Sequence, residues 1–183
     1  MNRRSVRGRA AVTVLLSMTA ACGNASLDAG LGDPSVGPIG VERRVLRVST
    51  VQIDGIADDI DRCVWVAETV DQRRKGLMNV TSLGAADGML FVHDEPTSGS
   101  FWMKDTLLDL SIAYFDAEGV FLDATDMTPC TASNSADCRL YPTPSEYQFA
   151  LEVVQGDLVD FGIRESSVVS LTDENCSAST MAE

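Results

Sequence analysis

Apolar residues recur at every second position, or in short runs, in eight segments of this chain: VLRVSTVQI (45–53), CVWVAE (63–68), GMLFV (88–92), SFWMKD (100–105), LSIAYF (110–115), VFLDAT (120–125), YQFALEVV (147–154) and SVVSLT (167–172). Side chains of an extended chain point alternately to opposite faces, so a period of two marks a strand with one buried face. Many short strands parted by turns predict a mostly β domain, a compact antiparallel sandwich or barrel-like fold. DAEG (116–119) joins two apolar runs and reads as a hairpin turn. One or two short helices complete the pattern. In TVDQRRKGLM, Thr69 can accept from the first helical amides while Gln72 reaches back to form a capping box, and Gly76 ends the helix. In GDLVDFG, Asp157 caps a turn or two that Gly162 terminates.

The first residues follow a different rule. Arg3, Arg4, Arg7 and Arg9 precede AAVTVLLSMTAA, an apolar run too short to span a bilayer core of about 30 Å. This is the pattern of a secretory signal over residues 1–21. It ends in TAAC, small residues directly before Cys22, as in a lipoprotein cleavage site with Thr19 in place of the usual Leu. The sequence therefore predicts a lipid on Cys22 and a membrane partner; ordinary cleavage after an A-x-A-like site is the alternative. Gly23 after the cysteine points to the periplasmic side of the outer membrane. GNASLDAGLGDPSVGPIG (23–40) has no aromatic residue and is rich in Gly and Pro, so it reads as a tether. The 183 residues then leave room for one domain, about 41–176, and a short tail, 177–183.

Export implies an oxidising compartment. Setting Cys22 aside, Cys63, Cys130, Cys138 and Cys176 form an even set with three possible connectivities. Cys130 and Cys138 flank a polar segment that buries little, so a local bridge is expected there, and Cys63 with Cys176 follows by elimination. Four thiolates without paired short C-x-x-C spacings do not suggest zinc.

Loss of residues 1–21 removes four of the 14 Lys+Arg and none of the 27 Asp+Glu, taking the formal charge from −13 to −17. Nucleic acid, which demands a basic footprint, is excluded as a partner. The densest acidic cluster, DGIADDID (54–61), lacks the spacing of a calcium loop and reads as a solvated loop. Asn24 and Asn79 lie in N-x-[ST] sequons that carry no weight behind a bacterial-style signal.

The ordered series KGLM (75–78), DGMLF (87–91), SFWMKDT (100–106), DAEG (116–119), PCT (129–131), YP (141–142) and ALEVVQG (150–156) resembles the bacterial and archaeal family called domain of unknown function 192, over about residues 45–171. The resemblance implies a compact, mostly β, often secreted domain and carries no established activity. Three motifs depart from the family pattern. Its Asn after WMK is Asp105, its P-L-D is Asp109, Leu110 and Ser111, and its G-D before the last strand is Ser166 and Ser167.

No Gly-rich phosphate loop, dinucleotide fingerprint, G-x-S-x-G or H-E-x-x-H pattern occurs, so neither a cofactor nor a metal is expected. The single histidine, His93, ends a strand and reads as a surface residue. The candidate site is in SFWMKDT. On a strand through it, Phe101, Met103 and Asp105 share one face and Trp102, Lys104 and Thr106 the other. An aromatic plate, a cation and a hydroxyl on one face suit a small polar ligand, and Lys75 and Glu152 come from other family-like segments to join them. On the competing reading Trp102 is core and Lys104 pairs with Glu152. Two alternatives to a binding module remain: an assembly protein that docks another envelope protein through an exposed sheet face, and a hydrolase using Asp105 with Glu152 as its carboxylate pair.

Overall fold

The structure is a computed structural model that describes residues 37–38, 40–51 and 57–176. The signal, Cys22 and the tail beyond residue 176 lie outside the described residues, as does the tether up to residue 36. The mostly β expectation holds. Among the described residues, nine strands, β1 (Glu42–Val51), β2 (Ala57–Ala67), β3 (Gly88–Thr97), β4 (Ser100–Trp102), β5 (Leu110–Phe115), β6 (Phe121–Met127), β7 (Leu140–Pro142), β8 (Tyr147–Val154) and β9 (Ser167–Asn175), are accompanied by two short α-helices, α1 (Val70–Lys75) and α2 (Leu158–Phe161). Seven strands form one sheet in the order β6-β5-β8-β3-β2-β1-β9, and β4 pairs with β7 in a small second sheet.

The two faces of the large sheet bury separate cores. Met89, Phe91, Ile112, Tyr114 and Ala150 point to one face, where Met103, Leu77 and Tyr141 from the α1 and β4–β7 side cover them. Leu46, Val64, Leu90, Phe115, Leu151 and Val153 point to the other, where Phe161 and Ile163 of the α2 region pack. Strands covered on both faces read as near-continuous apolar runs, as in GMLFV and LSIAYF, which is why these segments lack clean alternation.

One pairing departs from the antiparallel expectation. β2 and β3 run parallel, with Val64 opposite Gly88 and Ala67 opposite Phe91. The connection between them carries α1, and a helix placed on the sheet face returns the chain in the same direction. Nor is the acidic cluster wholly a loop, because Asp58, Asp59 and Asp61 lie in β2 opposite β1, where Arg47 forms an exposed pair with Asp61 at 2.9 Å. The solvated face of a hairpin arm accepts carboxylates as readily as a loop does.

The hairpin at DAEG forms as expected. Asp116 Oδ1 accepts from the amides of Glu118 and Val120, and Gly119 adopts φ 79°. A side chain at Gly119 would place its Cβ 2.0 Å from the carbonyl oxygen of Val169, so only glycine lets this turn meet β9, which it does through the Val120–Val168 bridge. The edges thus touch at one point without closing a barrel. Both disulfides match the expected connectivity: Cys63–Cys176 and Cys130–Cys138, each with Cα atoms 5.7 Å apart.

Candidate functional site

The side chains of interest are brought together by α1, β4 and the middle of β8. α1 starts with the capping box read from the sequence: Thr69 Oγ1 accepts from Gln72 N at 3.2 Å, and Gln72 Oε1 accepts from Thr69 N at 2.9 Å. It stops at Gly76, whose N–H donates to Gln72 O at 2.8 Å. A Cβ at Gly76 would lie 3.2 Å from the Phe91 ring, so the glycine lets the helix end sit directly on the aromatic core. The last turn of the helix consequently delivers Arg73, Arg74 and Lys75 to one place. Arg73 donates to the carbonyls of Val92, at 2.8 Å, and Glu68. Neither Arg74 nor Lys75 forms an ion pair or side-chain hydrogen bond among the described residues. α2 differs from expectation in one detail, since Asp157 precedes it without a side-chain cap hydrogen bond, while Gly162 closes it in the left-handed conformation as read.

β4 is shorter than SFWMKD suggested. After Trp102 the chain turns, with Met103 O accepting from the amides of both Thr106 and Cys130, and Asp105 takes φ 53°. The alternation therefore fails beyond Trp102. Met103 and Thr106 are both buried, and Lys104 leaves the cluster to pair with Asp105 at 2.5 Å beside Cys130. The Lys104–Glu152 pair of the competing reading is therefore not formed, and Glu152 lines a cavity to which Asp105 does not contribute. A left-handed backbone is one that Asn and Asp tolerate better than other side-chain-bearing residues, so Asp105 can keep the turn where the resembled pattern has Asn. At another departure, Ser111 is buried and its hydroxyl donates to Asp126 Oδ1 at 2.5 Å while accepting from Gly156 N.

Phe101 is the strand's inward residue. Its ring packs against Phe91 at 5.5 Å, Tyr114 at 5.8 Å and Tyr147 at 6.0 Å, and Tyr147 in turn meets His93 at 5.3 Å. Trp102 points outward and is 41 % exposed, so it is not a core residue. Two hollows meet along this aromatic wall. The outer cleft, about 570 Å³, is bounded by Arg73, Arg74, Phe91, His93, Trp102 and Tyr147. The inner one, about 40 Å³, shares Arg73, Arg74, Phe91, Phe101 and Trp102 with it and adds Lys75, Thr106 and Glu152. Four of the five residues selected from the sequence, Lys75, Trp102, Thr106 and Glu152, thus line one cavity, and Lys104 does not.

Glu152 is the unusual member. It occupies the centre of the sheet, opposite Met89 on β3 and Ile112 on β5, and is 5 % exposed. Its carboxyl makes no hydrogen bond or ion pair with any described residue, and burial pushes it up to about 8. Nearby, the hydroxyl of Tyr114 is buried without a partner, and burial raises its pKa, with further contributions from Tyr147 and Glu152. His93 is shifted the other way, lowered by burial and by Arg73, which keeps its ring neutral at pH 7. Arg74, His93 and Tyr147 were not selected from the sequence; the burial of Glu152 without a partner was equally unreadable there, since both depend on which strands become neighbours.

A separate hollow of about 490 Å³ is lined by Arg62, Ser82, Asp87, Asp157 and Asp160. Its only cation is already engaged: Arg62 donates to the carbonyls of Phe161 and Asp160 and lies over the Phe161 ring. None of its carboxylates is buried. The α1–β4 cleft is therefore the better candidate, having free cations, an exposed aromatic plate and a buried unpaired carboxyl.

Residues 51–171 match the family model DUF192, described as "Uncharacterized ACR". Among solved structures, a Sinorhizobium meliloti 1021 protein described as a candidate transcription regulator is similar at 21 % identity and TM-score 0.59, over 74 % of this chain and 98 % of its own. A Novosphingobium aromaticivorans protein of unknown function is similar at 24 % identity and TM-score 0.55, over 69 % of this chain and 84 % of its own. No curated protein matches. At these identities the likeness establishes a shared fold.

Proposed function

The chain belongs to the DUF192 family, and on that premise we propose that it is a binding module of the cell envelope, tethered through a lipid on Cys22 and presenting the α1–β4 cleft to a small polar ligand. The observation that carries the reading is the convergence of Lys75, Trp102, Thr106 and Glu152 on one cavity continuous with a larger open cleft. The combined space is in the range of small-molecule sites, about 300–1,000 Å³, and its polar groups converge on an aromatic wall of Phe91, Phe101, Trp102 and Tyr147. Buried Glu152 also supports it. A partnerless carboxyl in a sheet centre costs folding free energy, and a ligand that hydrogen-bonds it recovers part of that cost.

Trp102→Ala separates this reading from a structural one. The ring is half out of the core, so the variant should lose no more than about 1 kcal/mol in chemical denaturation, against about 3–5 for a buried Trp. A ligand found by thermal-shift screening of a diverse library against the wild-type protein should no longer raise the melting temperature of the variant. Retained ligand shifts, or a loss of several kcal/mol, would remove Trp102 from the site. The anchor is tested independently by expression in a bacterial host with labelled fatty acid. The label should enter the protein and disappear in Cys22→Ser; an unlabelled mature chain that begins elsewhere would refute the lipid.

A further inference from the structure

We infer that the cleft selects an organic anion with a flat ring, its carboxylate seated in the inner cavity among Arg74, Lys75, Thr106 and Glu152 and its ring lying along Trp102 and Phe101. The inference rests on the binding reading above and specifies the class of ligand.

Charge supplies the first argument. In a chain of formal charge −13, Arg73, Arg74 and Lys75 are three successive cations, and they sit where the two hollows meet. Arg73 is committed to backbone carbonyls, whereas Arg74 and Lys75 have donors to spare. Glu152 does not oppose an anion, because burial keeps its carboxyl protonated at pH 7, where it offers an O–H into the cavity. The other titratable groups that face the two hollows or Glu152 are Tyr114 on β5, His93 on β3 and Tyr147 on β8, and all are neutral at that pH. An anion thus meets the donors of Arg74, Lys75, Thr106 and Glu152, while an ammonium group would face three cations.

Size and lining supply the second argument. The inner cavity, about 40 Å³, is less than a tenth of the outer cleft of about 570 Å³, so it suits a group the size of a carboxylate better than a ring. The ring must lie in the outer cleft, whose walls are Phe91, Phe101, Trp102 and Tyr147. A saccharide needs a partner for each ring hydroxyl, and one left unpaired on desolvation costs affinity; along the faces of Phe91 and Phe101 the outer lining offers none. A planar aromatic ring needs only the stacking faces that are present.

The test titrates four probes into the full chain in detergent by calorimetry, with tryptophan fluorescence in parallel: phenylacetate, its neutral amide phenylacetamide, the cation phenethylamine, and the sugar acid galacturonate. Phenylacetate should bind at least about tenfold more tightly than the amide, and Arg74→Ala/Lys75→Ala, both exposed and unpaired in the fold, should abolish that preference with no change in melting temperature. The inference is overturned if the amide binds as well as the acid, if phenethylamine or galacturonate binds best, or if none of the four binds. Trp102-dependent binding of the amide, the amine or the sugar acid would leave the binding-module reading standing. Silence from all four probes together with the diverse library would remove both.

Discussion

Cys63→Ser/Cys176→Ser is expected to lower the unfolding free energy by roughly 4–5 kcal/mol, because the bridge closes a loop with a sequence separation of 113 residues and so removes a large share of the disorder available to the unfolded chain. For a domain whose whole stability is about 5–15 kcal/mol, that loss is about a quarter of the total or more, and it should appear as a fall of about 10–20 °C in melting temperature. The fold explains why the effect should be large. Cys63 is in β2 and Cys176 follows β9, and β1 lies between those two strands in the sheet, so the bridge fastens an edge strand across its neighbour. Cys130→Ser/Cys138→Ser is the control: its separation of 8 residues predicts a loss of only about 2.5 kcal/mol. Thermal and denaturant unfolding of the two double variants beside wild type decide the matter. Equal losses, or a Cys63/Cys176 variant that melts with wild type, would show that the long bridge does not act through the unfolded chain.

The second large effect is a dependence of stability on pH that belongs to one residue. Glu152 has its pKa raised from 4.5 to about 8 by burial. Below about pH 4.5 its carboxyl is protonated in folded and unfolded protein alike and costs nothing extra. Between 4.5 and 8 the unfolded chain releases the proton while the folded one holds it, so stability falls by up to about 1.4 kcal/mol per pH unit, and above 8 the loss is complete. The sum over these roughly 3.5 pH units is on the order of 5 kcal/mol. Glu152→Gln keeps the shape and removes the titration. Its stability relative to wild type should therefore climb from pH 5 to pH 8 and level off above, as followed by urea unfolding at each pH. A difference that stays constant over this range would mean that Glu152 is solvated or paired in the folded protein.

The same residue shows what could be read in advance. Its position in a strand was legible, because YQFALEVV carries the apolar pattern of a sheet segment over the residues that became β8. That a carboxyl interrupts this pattern was also legible. Its burial between Met89 and Ile112 was not, since it requires β3 and β5 to flank β8, and strand order is set by contacts distant in sequence. Lys104 shows the opposite failure. Period-two alternation assigned it to the face of Trp102, and the turn that Met103 makes with Thr106 and Cys130 sent it elsewhere. β7 escaped notice because Leu140–Pro142 is three residues long and strand only by pairing with β4.

What the sequence determined by itself was whatever depends on neighbours along the chain. The capping box at Thr69 and Gln72 and the turn at Asp116–Gly119 are of this kind, and both formed as read because each involves groups no more than a few residues apart. The cysteine pairing belongs with them in part, since an eight-residue polar loop between Cys130 and Cys138 left little choice for the rest. Tertiary structure alone decided the parallel joining of β2 to β3, the partnerless burial of Glu152 and the meeting of Arg74 with Trp102 over one cleft. The physical reason is that alternation and capping reflect local geometry, which every segment carries with it. Which face is buried against which, and whether a carboxyl there finds a partner, depends on the packing of the whole sheet.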